Sequence, residues 1–362
     1  MKSVMLVITN LTGGGAERVV SIWSSELAEE GYKVYLLLNG RVDHEYPLSD
    51  KVIVKTISPT YKEYKRLSRF AQFRIRRRII KECRPDYLIS FLPHIQVWTL
   101  LSTIGLNVKK IETLRVDPFH GDIHNKPKGS FLWRKTFDLA ESIIVQSSGQ
   151  MDFFNERNKR KCTIIPNPIS DVYYNHYKKE FSDTCSSFIA VGRIMPQKNY
   201  KMMIKAVADA HVKNPNINLK IYGDDEAGFR LELQKMINDL NASTYIHFMG
   251  RTDNMPKVYG CADCFLMSSN FEGMPNSLAE AMASKLICIS TDCRTGPSDL
   301  IDDQENGYLI PVGNTALMTS AILNVMTMSK TLRESIGNKA RNKVFTLCSK
   351  ENSLLKLKEL LR

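Results

Sequence analysis

The chain has 362 residues, of which 43% are hydrophobic and 24% charged, and it carries a formal net charge of +12 at neutral pH. That length suits two domains of ordinary size. No apolar stretch approaches the ~20 residues needed to span a bilayer, so no transmembrane helix is expected in it.

The opening MKSVMLVITN reads as a first buried strand rather than a signal peptide, because its apolar run is short and no small-residue cleavage site follows. A helix is expected over GGGAERVVSIWSSELAEEGY, with Val19, Ile22, Trp23 and Leu27 at helical spacing and Gly31 closing it. KVYLLLN and VIVKTI read as the next two strands. A basic helix is expected over residues 61–82, interleaving Lys62, Lys65, Arg66, Arg69, Arg74, Arg76, Arg77 and Arg78 with Leu67, Phe70, Phe73, Ile75 and Ile79. Residues 51–100 hold 12 Lys and Arg against 3 Asp and Glu, so the positive charge is local. A solvated helix face accounts for such a pattern as readily as attraction to an anionic surface. PDYLISFL, KKIETLR and ESIIVQSS complete a strand–helix–strand alternation, the mark of a parallel sheet with helices on both faces.

CTIIPNPIS interrupts that alternation, and SFIAVGRI restarts it. INLKIYG, TYIHFMG, CADCFLMSS and KLICIST follow as strands separated by helical segments. The expected fold is α/β: two doubly wound, Rossmann-like domains facing across a cleft, covering residues 1–166 and 167–345. Residues 346–362 form a last helix able to pack back on the first domain. In doubly wound folds ligands bind just beyond the carboxyl ends of the strands. Three loops fall there: TNLTGGGAERVV, VGRIMPQKNY and SNFEGMPNSLAEAM.

Gly13, Gly14 and Gly15 let a ligand approach bare backbone at a helix start. The spacing is not that of a dinucleotide fingerprint, and the second strand ends in Asn39 rather than an acid, which disfavours a dehydrogenase. Arg193 and Lys198 place two cations at a strand end, a pairing suited to a diphosphate. Glu272 and Glu280 bracket Gly273, Met274, Pro275, Asn276 and Ser277, where a turn leads into a helix with unspent N–H groups. Ser277-x-x-Glu280 also fits a capping box, which needs no ligand, but that reading leaves Glu272 unexplained. A carboxylate beside phosphates must turn toward hydroxyls, so this arrangement suits a ligand with a hydroxylated group at each end of a diphosphate. Cys261 and Cys264, with Cys288 and Cys293 downstream, lack tight paired spacing, and no metal is expected.

On GGAERV, IPNPI, VGRIMPQKN, FMGR, YGCADCFLMSS, Glu272-x7-Glu280, GPSDLI and NGYLIP, taken in this order, the chain resembles a retaining GT-B glycosyltransferase of family 4 nearly end to end. The resemblance implies transfer of a hexose or N-acetylhexosamine from a nucleoside diphosphate sugar, with UDP expected, to a glycan or lipid-linked hydroxyl. It implies that Glu280 holds the ribose diol, Glu272 a donor-sugar hydroxyl, Arg193 and Lys198 the diphosphate, the backbone of 273–277 sugar and phosphate, and Arg251 a place by the base. Gly14 and Gly15 join the substrate site, and neither cofactor nor obligatory metal is implied. Two departures stand out: Gly223-Asp224-Asp225 where Gly-Asp-Gly is frequent, and ETLRVDPF where relatives carry a more polar segment. His94, Arg115 and Asp117 are the acceptor-side candidates.

Other classes fit less well. A nucleotide-sugar epimerase shares the fold, and a sugar-nucleotide assay without acceptor separates the two. A basic nucleic-acid-binding protein would need a recognition helix or aromatics interleaved with basic strands, and neither is present. The expected setting is cytoplasmic and peripheral, with residues 61–82 against the anionic inner face of the cell membrane.

Overall fold

Val4 to Ile8 form an unbroken apolar run buried on both sides, and this run is the central strand of the first sheet. The computed structural model describes residues 2–120, 130–175, 181–225 and 228–362. The chain folds as two units, one of Met1–Pro168 with Lys350–Arg362, the other of Ile169–Ser349.

In the first unit the order is β1 (Ser3–Ile8), α1 (Gly15–Glu29), β2 (Lys33–Leu38), β3 (Ile53–Thr56), α2 (Tyr61–Tyr64), α3 (Arg69–Cys83), β4 (Tyr87–Ser90), α4 (Pro93–Thr103), β5 (Lys109–Leu114), α5 (Ser130–Asp138), β6 (Ser142–Val145), α6 (Glu156–Lys159) and β7 (Cys162–Ile164). All described pairings are parallel, in the order β3-β2-β1-β4-β5-β6-β7. Side chains alternate between the faces as the strand period requires. Val4, Leu6 and Ile8 pack with Val19, Val20, Trp23 and Leu27 of α1. Met5 and Val7 pack on the other side with Ile79 and Ile80 of α3 and Ile95 of α4.

The second unit runs α7 (Val172–Asn175), β8 (Ser187–Val191), α8 (Tyr200–Lys213), β9 (Asn218–Tyr222), α9 (Arg230–Asp239), β10 (Ile246–Gly250), α10 (Met255–Gly260), β11 (Cys264–Met267), α11 (Asn276–Ala283), β12 (Ile287–Thr291), α12 (Pro297–Leu300), β13 (Tyr308–Ile310), α13 (Thr315–Thr327) and α14 (Lys330–Cys348). Its sheet is also parallel, in the order β10-β9-β8-β11-β12-β13. Phe188 and Ala190 face Met203, Val207, Met318 and Ile322, whereas Ile189 faces Leu278, Met282, Ala340 and Val344. The last helix, α15 (Lys350–Leu360), belongs to the first unit. Its Leu354 and Leu357 join the α1 core, and Trp23 Nε1 donates to Ser353 Oγ at 2.8 Å.

Residues 61–82 do not form one helix. Lys65 to Ser68 separate α2 from α3, and Ser68 Oγ caps α3 by accepting from the Ala71 N–H. Nor are all the bases on its surface. Arg76 is fully buried and donates from Nη2 to Asn39 Oδ1 at 2.9 Å. Arg77 donates to the carbonyls of Ser102 and Ile104 at 2.9 and 2.8 Å, closing the end of α4. Lys62, Lys65, Arg66, Arg69, Arg74 and Arg78 remain exposed, and Phe70 beside them is 67% exposed. Among the described residues no helix is long and apolar enough to cross a membrane.

Candidate active site

In each sheet the strand order reverses once, between β1 and β4 in the first unit and between β8 and β11 in the second. Loops diverge from such a switch point and leave a crevice beyond the strand ends. In the second unit the loops after β8 and β11 are stitched together. Asn270 N–H donates to Gln197 O and Gln197 Nε2 donates to Phe271 O, both at 2.8 Å. Ser268 Oγ lies 2.8 Å from Lys198 O and 3.0 Å from Asn199 O, and Asn199 Nδ2 donates to Asn270 Oδ1 at 3.0 Å. Asn199 adopts the left-handed conformation (φ 47°) and caps α8 through its side chain, which turns the short segment before it back toward β11.

This stitching brings Lys198 to Glu272. Lys198 Nζ donates to Glu272 Oε1 at 2.7 Å, with the two side chains only 16% and 8% exposed. Ser269 Oγ donates to the same oxygen at 2.6 Å. Thr295 Oγ1 donates to the Glu272 carbonyl, fixing the backbone as well. Gly296 lies against this loop so tightly that a Cβ there would come 2.6 Å from Pro275 Cδ and 3.0 Å from Gly273 O. Gly296 also has φ 98°, a conformation open to glycine.

Glu280 is buried on α11, and its Oε2 lies 3.3 Å from the Tyr259 hydroxyl. The capping-box reading fails here. Pro275 is the N-cap residue and Asn276 the first helical residue, so Ser277 is already inside the first turn. Leu278 N–H and Ala279 N–H both donate to Pro275 O, so their amides are spent. Met274 is buried, and Gly273 is partly so.

Arg193 is exposed just past β8. Gly192 N–H donates to Tyr222 O, and Ile194 N–H to Asp224 O, at 2.9 and 2.8 Å. A Cβ on Gly223 would collide with the Gly192 carbonyl, so glycine is required where the β8 and β9 ends converge. Asp225 caps α9, accepting from the Phe229 and Arg230 N–H groups at 2.9 and 3.1 Å. Asp224 lies 3.9 Å from Arg251 Nη1, with both side chains well exposed. Among the described residues no three His, Cys, Asp or Glu side chains cluster as metal ligands.

In the first unit, Gly14 precedes α1 as its N-cap residue, and the Glu17 carboxylate folds over it closely enough to exclude a Cβ. Gly15 begins the helix. His94 stands in the first turn of α4, with Nε2 3.0 Å from Thr9 Oγ1. The residue is exposed, yet partial desolvation of its ring, with Arg76 as the nearby cation, lowers its pKa. Leu92, two residues earlier, has φ 71°, a strained conformation for leucine at the switch point.

Arg115 is an enclosed cation. It stacks over Trp23 and Phe91, with centroid distances of 4.7 and 5.4 Å, and donates from Nη1 to Asn167 Oδ1 at 2.8 Å. Burial brings its pKa down to about 9. Asp117 is buried; its Oδ1 accepts from Phe119 N–H at 2.8 Å and its Oδ2 lies 2.8 Å from His120 Nδ1.

Three contributors escaped sequence reasoning. Ser269, three residues before Glu272, is visible only as a hydroxyl in a loop. Thr295 acts from 23 residues further on, with no local signal. Tyr259 reads from sequence as an ordinary core aromatic.

Two family models cover the chain: Glycosyltransferase Family 4 over residues 13–172 and Glycosyl transferases group 1 over residues 175–343. An alpha-1,4-N-acetyl-D-galactosaminyltransferase of Campylobacter jejuni, whose name specifies a diphospho-undecaprenol-linked saccharide, is 26% identical over 99% of this chain and 98% of its own. A glycosyltransferase of Methanocaldococcus jannaschii is 30% identical over 74% of this chain and 70% of its own. Among solved structures, Staphylococcus aureus TarM superposes with a TM-score of 0.80 at 15% identity, over 100% of both chains. Anabaena HepE with UDP-glucose superposes with 0.79 at 16%, over 100% of this chain and 99% of its own. At those identities the likeness to solved structures speaks to fold alone, while the family models and relatives carry the activity class: the chain belongs to the glycosyltransferases of the GT-B fold.

Proposed function

We propose that the protein transfers a hexose or N-acetylhexosamine from a UDP-sugar to a hydroxyl of a glycan or lipid-linked acceptor in cell-surface polysaccharide synthesis, with retention at the anomeric carbon. The observation that carries the donor assignment is the Lys198–Glu272 pair at the β8/β11 switch point. An ammonium has three donors. One is spent on Glu272, and the others are available to the diphosphate, with Arg193 as its partner from the same loop. Glu272 then turns its remaining oxygen toward a sugar hydroxyl, and Glu280 accepts the ribose diol. The backbone of Gly273 to Ser277 lies along sugar and phosphate, and Arg251 stands by the base. The name of the Campylobacter jejuni relative supports a lipid-linked acceptor, and relatives named for UDP-N-acetylglucosamine, together with the UDP and UDP-glucose complexes of structural neighbours, support a UDP-sugar.

In the transfer step the bond from C1 to the phosphate oxygen breaks while the acceptor oxygen bonds C1 on the same face. The acceptor proton passes to the departing phosphate oxygen. Negative charge accumulates on the diphosphate, and Arg193 and Lys198 stabilise it. A carboxylate whose Oε1 already accepts from an ammonium and a hydroxyl is a weak nucleophile, which favours this front-face route over a covalent one. Gly14, Gly15 and His94 follow β1 and β4 at the first unit's own switch point, Asp117 follows the neighbouring β5, and these residues serve the acceptor, with Arg115 holding that edge from within. The exposed bases of α2 and α3 meet an anionic membrane surface on the cytoplasmic side.

The test is calorimetric titration with UDP, UDP-glucose, UDP-galactose and their N-acetylated counterparts. Saturable binding of at least one is expected, weakened by Lys198→Ala and by Glu280→Gln. Parent-like affinity in both variants would refute the donor assignment.

A further inference from the structure

We infer that Ser269 is a positioning residue that withholds one oxygen of Glu272, so that the carboxylate reads the donor sugar through Oε2 alone. This rests on the proposed donor site and adds to it a determinant of sugar specificity. Ser269 is fully buried, and its hydroxyl donates to Glu272 Oε1 at 2.6 Å, the oxygen that Lys198 also holds. Among the described residues no hydrogen bond reaches Oε2. A carboxylate free to rotate can bridge two neighbouring hydroxyls with its two oxygens. One clamped through Oε1 by two donors presents a single acceptor in a set direction.

The clamp is itself held from β12 and the loop that follows. Thr291 Oγ1 donates to Ser269 O at 2.6 Å, and Cys293 Sγ lies 3.2 Å from the same carbonyl. Thr295 Oγ1 donates to the carbonyl of Glu272. Thr291, Cys293 and Thr295 are fully or almost fully buried, and alternate residues of one segment thus brace both ends of Ser269–Glu272. Such bracing is what a capping or core role for Glu272 would not need. It suits a side chain that must keep its direction when a ligand arrives.

The test compares the donor that the parent turns over best with its 3-, 4- and 6-deoxy analogues and its C4 epimer, in the parent and in Ser269→Ala. In the parent, one change is expected to carry a large kcat/KM penalty that disappears in Glu272→Gln, while the others are tolerated. In Ser269→Ala that penalty should shrink about tenfold, the size expected for losing a hydrogen bond to a charged group. UDP affinity should stay at the parental value, and melting temperature should fall by no more than the loss of one buried hydrogen bond requires. Thr291→Val, nearly isosteric, should shrink it in the same direction and by less. Equal losses across all donors, or an unchanged penalty in Ser269→Ala, would overturn the inference while leaving the donor site standing. Failure of the parent to bind any UDP-sugar would remove both.

Discussion

Lys198 Nζ and Glu272 Oε1 lie 2.7 Å apart across two loops separated by 74 residues of sequence, and neither side chain is more than 16% exposed. A pair this enclosed responds asymmetrically to substitution, because removing one partner strands the other charge out of water. Lys198→Ala should therefore destabilise the second unit by about 3 kcal/mol. It should also cut transfer by about 10²-fold, through loss of a charge-assisted contact to the diphosphate. Pairing Lys198→Met with Glu272→Gln should restore much of the stability and none of the activity. Thermal melts beside turnover assays check this, and activity recovering together with stability would contradict it.

Metal dependence gives a second prediction. Asp225 spends both oxygens on backbone N–H groups of α9, and Asp224 sits by Arg251, so the Gly-Asp-Asp segment has little left for a cation. Transfer should proceed undiminished in excess EDTA. Complete loss of activity, restored by manganese, would instead assign these aspartates to a metal.

The third prediction is a pH effect on stability. Glu112 is buried in β5, accepts from the Ser90 hydroxyl, and has its pKa pushed up to about 8 by burial. Between its ordinary 4.5 and about 8, the folded chain holds a proton that the unfolded chain has released. Stability from this group is thus fully present below about pH 4.5 and is lost as pH rises through about 8. Melting temperature should fall across that window in the parent and fall less in Glu112→Gln. Identical slopes for the two would show that Glu112 ionises normally.

Much of the fold is legible in the sequence because the inner strands of a sheet covered on both faces are largely apolar. SVMLVI and SIIV announce themselves in that way. The glutamate spacing of α11 is legible too, since eight residues place one carboxylate before the helix and the other in its second turn. What escapes is long-range pairing. Arg76 looks like any surface base in a basic helix, and only Asn39, 37 residues away, explains why it turns inward. The break at Ser68 escapes for the opposite reason: one hydroxyl capping Ala71 outweighs a helical pattern that continues on either side.

That correction reshapes the membrane prediction. Each base near an anionic bilayer is worth about 1 kcal/mol, and the interaction fades within a Debye length. Replacing Lys62, Lys65, Arg66, Arg69, Arg74 and Arg78 by Glu should abolish co-sedimentation with phosphatidylserine vesicles and leave UDP affinity intact. Neutral vesicles or high salt should release the parent. Arg76→Ala belongs to a different class: it removes a buried core contact and should lower the melting temperature. Equal sedimentation of parent and sixfold variant would leave α2 and α3 as a solvated face.

Retaining transfer from a UDP-sugar, aided by cations and not by a covalent enzyme intermediate, is tested most directly by the configuration of the product. The protein is incubated with each α-linked UDP-hexose and UDP-N-acetylhexosamine and a polyprenyl-diphosphate saccharide, and the new linkage is read by proton NMR. The expected product is an α-glycoside, formed by the parent and reduced about 10²-fold in Lys198→Ala. A β-glycoside, or sugar found covalently attached to Glu272, would contradict it.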